Sequence, residues 1–239
     1  MKLLIKVKMF IEKEKINDSF VSVGEWTCDG YTQKAVKKEY TGKFSWWNTE
    51  DDLCKREKEV LNLCYDHYIL APLVLFEGDN YLILEWIDGC NANLYQNQRK
   101  LLPRIATILR KIHSIRNTHI AVYSPQFSDA KISLLHGDFH NQNIMVSPEN
   151  GEIRGIIDFE EACYGNRHLD IAHYCQYLID QPFKDSSEKK EILLEFLDAY
   201  EDYTIDDLQT ASRILEQRNE YLNTSHFTTT FTFMNYLIS

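Results

Sequence analysis

No apolar run in this 239-residue chain approaches the ~20 residues that a transmembrane helix needs. The longest, YILAPLVLF from Tyr68 to Phe76, stops far short. The chain opens MKLLIKVKMFIEKEK, in which Lys2, Lys6 and Lys8 break up the apolar residues, so the continuous core and small-residue cleavage site of a secretory signal are missing. Basic excess is missing too. The chain has 26 Lys and Arg against 36 Asp and Glu, a formal charge of -10, which leaves nothing to neutralise a nucleic-acid backbone. The six cysteines (Cys28, Cys54, Cys64, Cys90, Cys163 and Cys175) form no C-x-x-C pair and no disulfide-rich spacing. Among apolar neighbours they read as buried free thiols of a reducing compartment. No repeat or low-complexity block interrupts the chain. These absences describe a cytoplasmic protein with no membrane segment and no nucleic-acid partner.

What is present is the material of a globular fold: 44% hydrophobic and 26% charged residues in a length that supports one large domain or two small ones. The stretches LLIKVKMFIEK, FVSVGEW and QKAVKKEY carry β-branched and partly alternating residues and are expected strands. From Asp51, DDLCKREKEVLNLCYDH places Leu53, Val60, Leu61 and Cys64 on one helical stripe. Glu57 shares that stripe, and an inward carboxylate needs a cation. PLVLFEGDNYLILEW is a hairpin around Glu77–Asn80, followed by a connector with a turn at Asp88–Gly89.

Helical patterns then dominate. They are KLLPRIATILRKIHSI, HLDIAHYCQYLID, SSEKKEILLEFLDAYEDY and DDLQTASRILEQRNEYL, with one further hairpin formed by NIMV and EIRGIID. The expected architecture is α+β and bilobal. A small strand-rich lobe, residues 1–86, precedes a larger helical lobe, residues 87–239, with a hinge near Glu85–Gly89. The cleft between such lobes is where small-molecule sites usually lie.

The densest polar cluster is LLHGDFHNQNIMV, with His136, Asp138, His140 and Asn143 wedged between Leu135 and Ile144. Asp158 ends the next apolar run, in GIIDFEEA. A strand lysine and the inward Glu57 complete the set. Phosphoryl transfer from ATP needs these types: a carboxylate to take the proton of an attacking hydroxyl, an Asn and an Asp for divalent ions, and a Lys held by a Glu for the phosphates. The protein-kinase catalytic loop carries its base and its metal-binding Asn at the same offset of five.

The sequence resembles the aminoglycoside phosphotransferase and choline kinase-like family, small-molecule relatives of the protein kinases. HGDFHNQNIMV is similar to the family's catalytic loop and IDFEEACYGNRHLDIAHY to its metal-binding segment. YLILEWIDG resembles its hinge, and ILRKIHSI the helix leading to the loop. The likeness runs from about Leu53 to Leu178. It implies a protein-kinase-like fold, ATP and Mg²⁺ as cofactors and a small-molecule alcohol as acceptor.

Residue by residue, the resemblance implies Asp138 as catalytic carboxylate, with His140 near the γ-phosphate or the acceptor hydroxyl. Asn143 and Asp158 are implied as metal ligands, and the backbone of Glu85 to Ile87 as the partner of the adenine edge. His136 and Asp170 are implied supports, the one packing the loop and the other fixing the downstream turn. KAVK at Lys34–Lys37 mirrors the kinase strand in which Ala precedes Lys by two. Alternation puts Ala35 and Lys37 on one face, so Lys37 is the expected partner of Glu57, with Lys38 second.

Two departures stand out. No G-x-G-x-x-G is present, Gly24 and Gly30 being six apart, and the chain is short for the family. A Walker A motif is absent as well.

Blander readings compete at several positions. His136 and His140, at i and i+4, are poor zinc candidates without a third ligand. His113, His119, His168 and His173 read as core or surface histidines. Glu160, Glu161 and Tyr164 face the acceptor or serve the structure. The C-terminal aromatics fit core packing or a homodimer contact through the C-terminal helices better than a cationic cage. A nucleotide-binding module without turnover, and a protein kinase, are the alternative functions.

Overall fold

The structure is a computed structural model that describes residues 8–15, 20–40, 52–116, 132–181, 185–222 and 232–238. Three strands open it: β1 (Lys8–Lys15), β2 (Val21–Cys28) and β3 (Tyr31–Glu39). Asp29 and Gly30 join β2 to β3 at φ 51° and 87°, the positive pair that a two-residue hairpin turn requires. Helix α1 (Leu53–Asp66) starts at Asp52, whose carboxylate accepts the Lys55 N–H at 3.1 Å and answers one of the helix's orphan donors. β4 (Val74–Glu77) and β5 (Tyr81–Glu85) form the expected hairpin. All five strands make one antiparallel sheet in the order β1-β2-β3-β5-β4.

The two faces of this sheet bury different things. Trp26, Ala35 and Ile83 form a small cluster on one face, under Phe10 and Phe76. Val36, Tyr40, Leu82 and Leu84 turn the other way, onto α1 and the main core. Lys37 therefore pairs across the ladder with Ile83 on the first face, and Lys38 with Leu82 on the second.

The remainder is mostly helical. After β6 (Cys90–Asn91) and two 3-10 turns comes α2 (Leu102–Ile112), with Pro103 in its first turn, where a missing N–H costs nothing. β7 (Ile132–Leu135) leads into the polar cluster and a 3-10 turn at Asn141–Asn143. β8 (Ile144–Val146) and β9 (Ile153–Ile156) follow, then β10 (Cys163–Asn166). β6, β8 and β9 make one small sheet, and β7 with β10 another. The helices α3 (His168–Asp180), α4 (Ser186–Tyr200), α5 (Ile205–Leu222) and α6 (Met234–Ile238) complete the chain, α2 lying against α4 and α3 against α5. Ile171, Ala172 and Cys175 of α3 are buried, as the sequence suggests.

One apolar core runs from Tyr40 and α1 through Leu135, Phe139 and Phe159 to Phe196 and Tyr200. All six cysteines are free, four of them buried. Burial pushes the Cys54 thiol up to about 11 and the Cys64 thiol to about 12, so they behave as apolar filling. No helix among the described residues is long and apolar enough to cross a membrane. Phe233 and Met234 are buried against the same core, the packing use expected of the C-terminal aromatics. Much of that aromatic stretch, like His119, lies outside the described residues.

Candidate active site

Asp138, His140 and Asn143 sit on one loop because Asp170 holds its entrance. The Asp170 carboxylate accepts the N–H of His136 at 2.7 Å and of Gly137 at 3.0 Å, and His113 Nε2 meets it at 3.0 Å. Gly137 stands at φ +85°, where a Cβ would overlap the Glu161 carbonyl; only glycine fits. His136 is fully buried between Phe139 and Phe159. Its Nε2 donates to the Ile157 carbonyl (3.0 Å) and its Nδ1 accepts the Asp138 N–H (3.3 Å), so both ring nitrogens are engaged and the zinc reading falls away. Asp170 thus fixes the polar loop itself rather than only the turn below it.

Within the loop, His140 Nδ1 accepts the Gln142 N–H at 3.2 Å, which leaves Nε2 to face Asp138 Oδ2 at 3.2 Å. The ring stacks on Tyr177, centroids 5.7 Å apart. Asn143 donates to the Asp138 carbonyl at 2.9 Å, turning its amide oxygen away from that aspartate. Burial alone would raise the Asp138 carboxyl. The hydrogen bond from His140 and the nearby rings of His173 and His136 outweigh it and hold the group well below the usual carboxylate range, ready as an acceptor.

The Ile157 N–H bonds to the Asn143 carbonyl at 2.9 Å, which brings Asp158 beside the loop. Asp158 adopts φ +68°, a left-handed state that Asp tolerates better than most residues. That kink sends Phe159 into the core and leaves Asp158 facing the sheet. There the lysine is Lys38, not Lys37. Lys38 Nζ lies 2.8 Å from Glu57 Oε2 and 2.9 Å from Glu160 Oε2, and it also contacts Asp158. Lys37 instead pairs with Glu39 and stands over the Tyr81 ring at 4.8 Å. Strand alternation is as expected; the face is not, because Ala35 packs under Trp26 on the side away from α1.

Glu57, 1% exposed, has both oxygens engaged. Oε2 takes Lys38 and the Tyr40 hydroxyl (2.6 Å), and Oε1 takes the Phe159 N–H at 3.1 Å. Burial alone would lower the Lys38 ammonium, but Glu57 and Asp158 drive it well above its ordinary value. Burial raises the Glu160 carboxyl, with Lys38 opposing. Glu160 therefore serves Lys38, while Glu161 and Tyr164 are buried. Tyr40 escaped the sequence reading, as did the contact of Glu160 with Lys38; Tyr40 was accessible as the i+2 neighbour of Lys38 on one strand face.

Of the hinge pair, Glu85 commits its N–H to the Leu73 carbonyl at 2.9 Å, leaving at most its carbonyl for a ligand. Ile87 is half-buried over Gly155. Of the two glycines six apart, Gly24 lies inside β2, where a Cβ would strike the Ile11 carbonyl, and Gly30 is in the hairpin turn between β2 and β3.

The His113–Asp170 pair makes acid stability testable. Burial lowers the His113 imidazole despite Asp170. Burial would raise Asp170, but His113 and the loop donors hold it below its ordinary range. In both, the unfolded chain protonates first, so stability falls as pH drops below 6.5 for His113 and again below 3.8 for Asp170. The urea midpoint is expected to decline from about pH 7 to about pH 5, and less so in His113→Gln. A midpoint flat over that range contradicts the arrangement.

A small sheet over a helical lobe, with a lysine–glutamate pair facing an HGD loop, is the protein-kinase-like fold. The model of the Phosphotransferase enzyme family matches residues 118–209, under half of the chain but including the loop, Asp158 and Asp170. Solved structures agree over nearly the whole length. An aminoglycoside-3'-phosphotransferase of type VIII superposes with TM-score 0.64 at 15% identity, covering 88% of this chain and 93% of its own. An ethanolamine kinase of Plasmodium vivax gives 0.57 at 15%, covering 97% and 81%, and an amicoumacin kinase 0.60 at 15%, covering 90% and 79%. At such identities the likeness is one of fold. A probable acyl-CoA dehydrogenase, IBR3 of Arabidopsis thaliana, is 38% identical over 50 residues; the match covers 21% of this chain and 6% of that protein's length. The family resemblance seen in the sequence is borne out.

Proposed function

We propose that the chain is an ATP- and Mg²⁺-dependent phosphotransferase acting on a hydroxyl of a small molecule, of the aminoglycoside, choline or ethanolamine, or sugar-like alcohol kind. The observation that carries this reading is the meeting of Lys38, Glu57 and Asp158 beside the Asp138–His140–Asn143 loop. The amicoumacin kinase was solved with AMP-PNP, Ca²⁺ and Ami, and an aminoglycoside phosphotransferase of Streptomyces rimosus with ADP and streptomycin. These support nucleotide and metal use here.

The donor set suits the metal. Asp158 and the amide oxygen of Asn143 are hard oxygen ligands, and the carboxylates of Glu57, Asp158 and Glu160 lie within 4.8 Å of one another. Bound Mg²⁺ would neutralise charge on the transferring phosphoryl group. Lys38 would clamp the phosphates, aimed by Glu57 with Tyr40 fixing the carboxylate. Asp138 would orient the acceptor hydroxyl and take its proton, and His140 would steady Asp138 through Nε2. The loose transition state asks for positioning more than basicity, which fits a carboxylate held well ionised.

The test is ADP release from ATP and Mg²⁺ over aminoglycosides, choline, ethanolamine, sugars and vitamin alcohols. Acceptor-dependent release with at least one class is expected. Nucleotide binding without release to any acceptor would instead favour a regulatory module.

A further inference from the structure

A second concave site lies behind the hinge, at the β4 edge of the sheet. It is a cavity of about 520 Å³, a volume typical of small-ligand sites. Lys38, Glu57, Asp138, Asn143 and Asp158 are not among the described residues that border it, whereas Glu85 and Ile87 of the hinge are. One wall comes from Leu70 and Ala71 ahead of β4 and from Glu85 and Trp86 at the end of β5. The other comes from the β8–β9 hairpin, through Glu149 and Arg154. The Leu70 carbonyl accepts the Ile156 N–H at 2.8 Å, which ties the two walls together.

The wall chemistry is specific. Leu70, Ala71 and the Trp86 indole supply apolar surface. Glu85, Asp88 and Glu149 supply three carboxylates against the single guanidinium of Arg154, which itself lies 3.7 Å from Glu152. Two of the carboxylates are held in place from within the walls. Glu85 Oε2 accepts the Leu73 N–H at 3.2 Å, and Glu149 Oε2 the Ser147 hydroxyl at 2.5 Å. The Trp86 ring already receives one cation, Lys34 Nζ lying 3.5 Å from its centroid, as expected of an indole face. Preset carboxylates over an apolar and aromatic floor complement a positive charge on an apolar body.

We propose that this cavity is a second ligand site that takes a small organic cation, an ammonium group carried on a hydrocarbon or aromatic body. It shares the hinge residues Glu85 and Ile87 with the expected nucleotide cleft but does not rest on the phosphotransferase reading. The occupant touches both the end of the sheet and the hairpin that leads to Asp158.

The experiment titrates the full chain, saturated with AMP-PNP and Mg²⁺, with 2-phenylethylammonium and with its neutral analogue 2-phenylethanol, followed by NMR. The expected result is saturable shifts of the Trp86 indole N–H and the Ala71 amide with the ammonium compound. Binding of the alcohol should be at least about tenfold weaker, because a neutral group gains nothing from the three bordering carboxylates. The double variant Asp88→Asn, Glu149→Gln removes two surface charges and should keep its fold, checked by unchanged thermal unfolding, while losing about fivefold or more in affinity. Equal binding of ammonium and alcohol overturns the proposal. So do shifts confined to residues around Asp138, unaltered affinity in the double variant, or no shift at Trp86 and Ala71.

Discussion

Asp138→Asn is expected to lower acceptor-dependent ADP release by about 10³-fold while nucleotide affinity stays within a few-fold, because positioned acid–base groups contribute on that scale. Asn keeps the shape and can still meet His140, but it cannot take a proton. The native carboxylate is ionised far below neutral pH, since His140, His173 and His136 outweigh its burial. Its role is therefore not one of marginal basicity that a pH change could restore in the variant. Kinetics with saturating nucleotide separate the two outcomes. A variant that retains more than a tenth of the rate removes Asp138 from the chemistry; one that loses nucleotide binding instead assigns it to the phosphate side.

The second large effect contrasts two adjacent lysines. Lys38→Met is expected to reduce turnover by about 10²-fold or more, the scale of losing one fixed electrostatic contact to a transferring group. Lys37→Met should remain near the parent, because an exposed ion pair such as Lys37–Glu39 is worth about 1 kcal/mol or less. Lys38→Met also leaves Glu57 buried with only the Tyr40 hydroxyl and the Phe159 N–H. Stripping the cation from a buried pair costs about 3–5 kcal/mol, so a lower melting temperature accompanies the loss and rates must be read well below it. Equal losses in the two variants, or a larger one in Lys37→Met, would show that the strand presents its other face to the nucleotide.

That lysine is also where the sequence stopped short. Alternation correctly separates Ala35 and Lys37 from Val36 and Lys38, but alternation alone does not say which face meets α1. The A-x-K spacing points to the wrong one. A better signal was present: Val36, Lys38 and Tyr40 make a more apolar row than Ala35, Lys37 and Glu39, and the main core takes the more apolar row. Elements with strong periodicity or turn chemistry were legible, among them α1 with its inward Glu57, the β4–β5 and β8–β9 hairpins, and the four long helices. β7 and β10 were not, because each is four residues long and they pair only with each other, across 28 positions of sequence between Leu135 and Cys163 at their nearest.

The polar loop was legible as a site because its spacing is chemical. Its support was less so. His113 reads as a core histidine, which it is, yet it is also the side-chain partner of Asp170 and meets the Tyr200 hydroxyl at 2.7 Å. Contacts among α2, α3 and α4 create that relation, and no local pattern encodes it. Glu160 is a similar case. Its place two residues after Asp158 left the acceptor and a structural use both open, and the left-handed turn at Asp158 swings it onto Lys38.

The proposed chemistry stands or falls on whether Lys38, Asn143 and Asp158 receive a metal-bound nucleotide. Calorimetric titration of the full chain with AMP-PNP, with and without Mg²⁺, tests it most directly. One saturable site is expected, dependent on Mg²⁺ and weakened at least about tenfold by Asp158→Asn. Absence of binding, or binding indifferent both to Mg²⁺ and to Asp158→Asn, would contradict it.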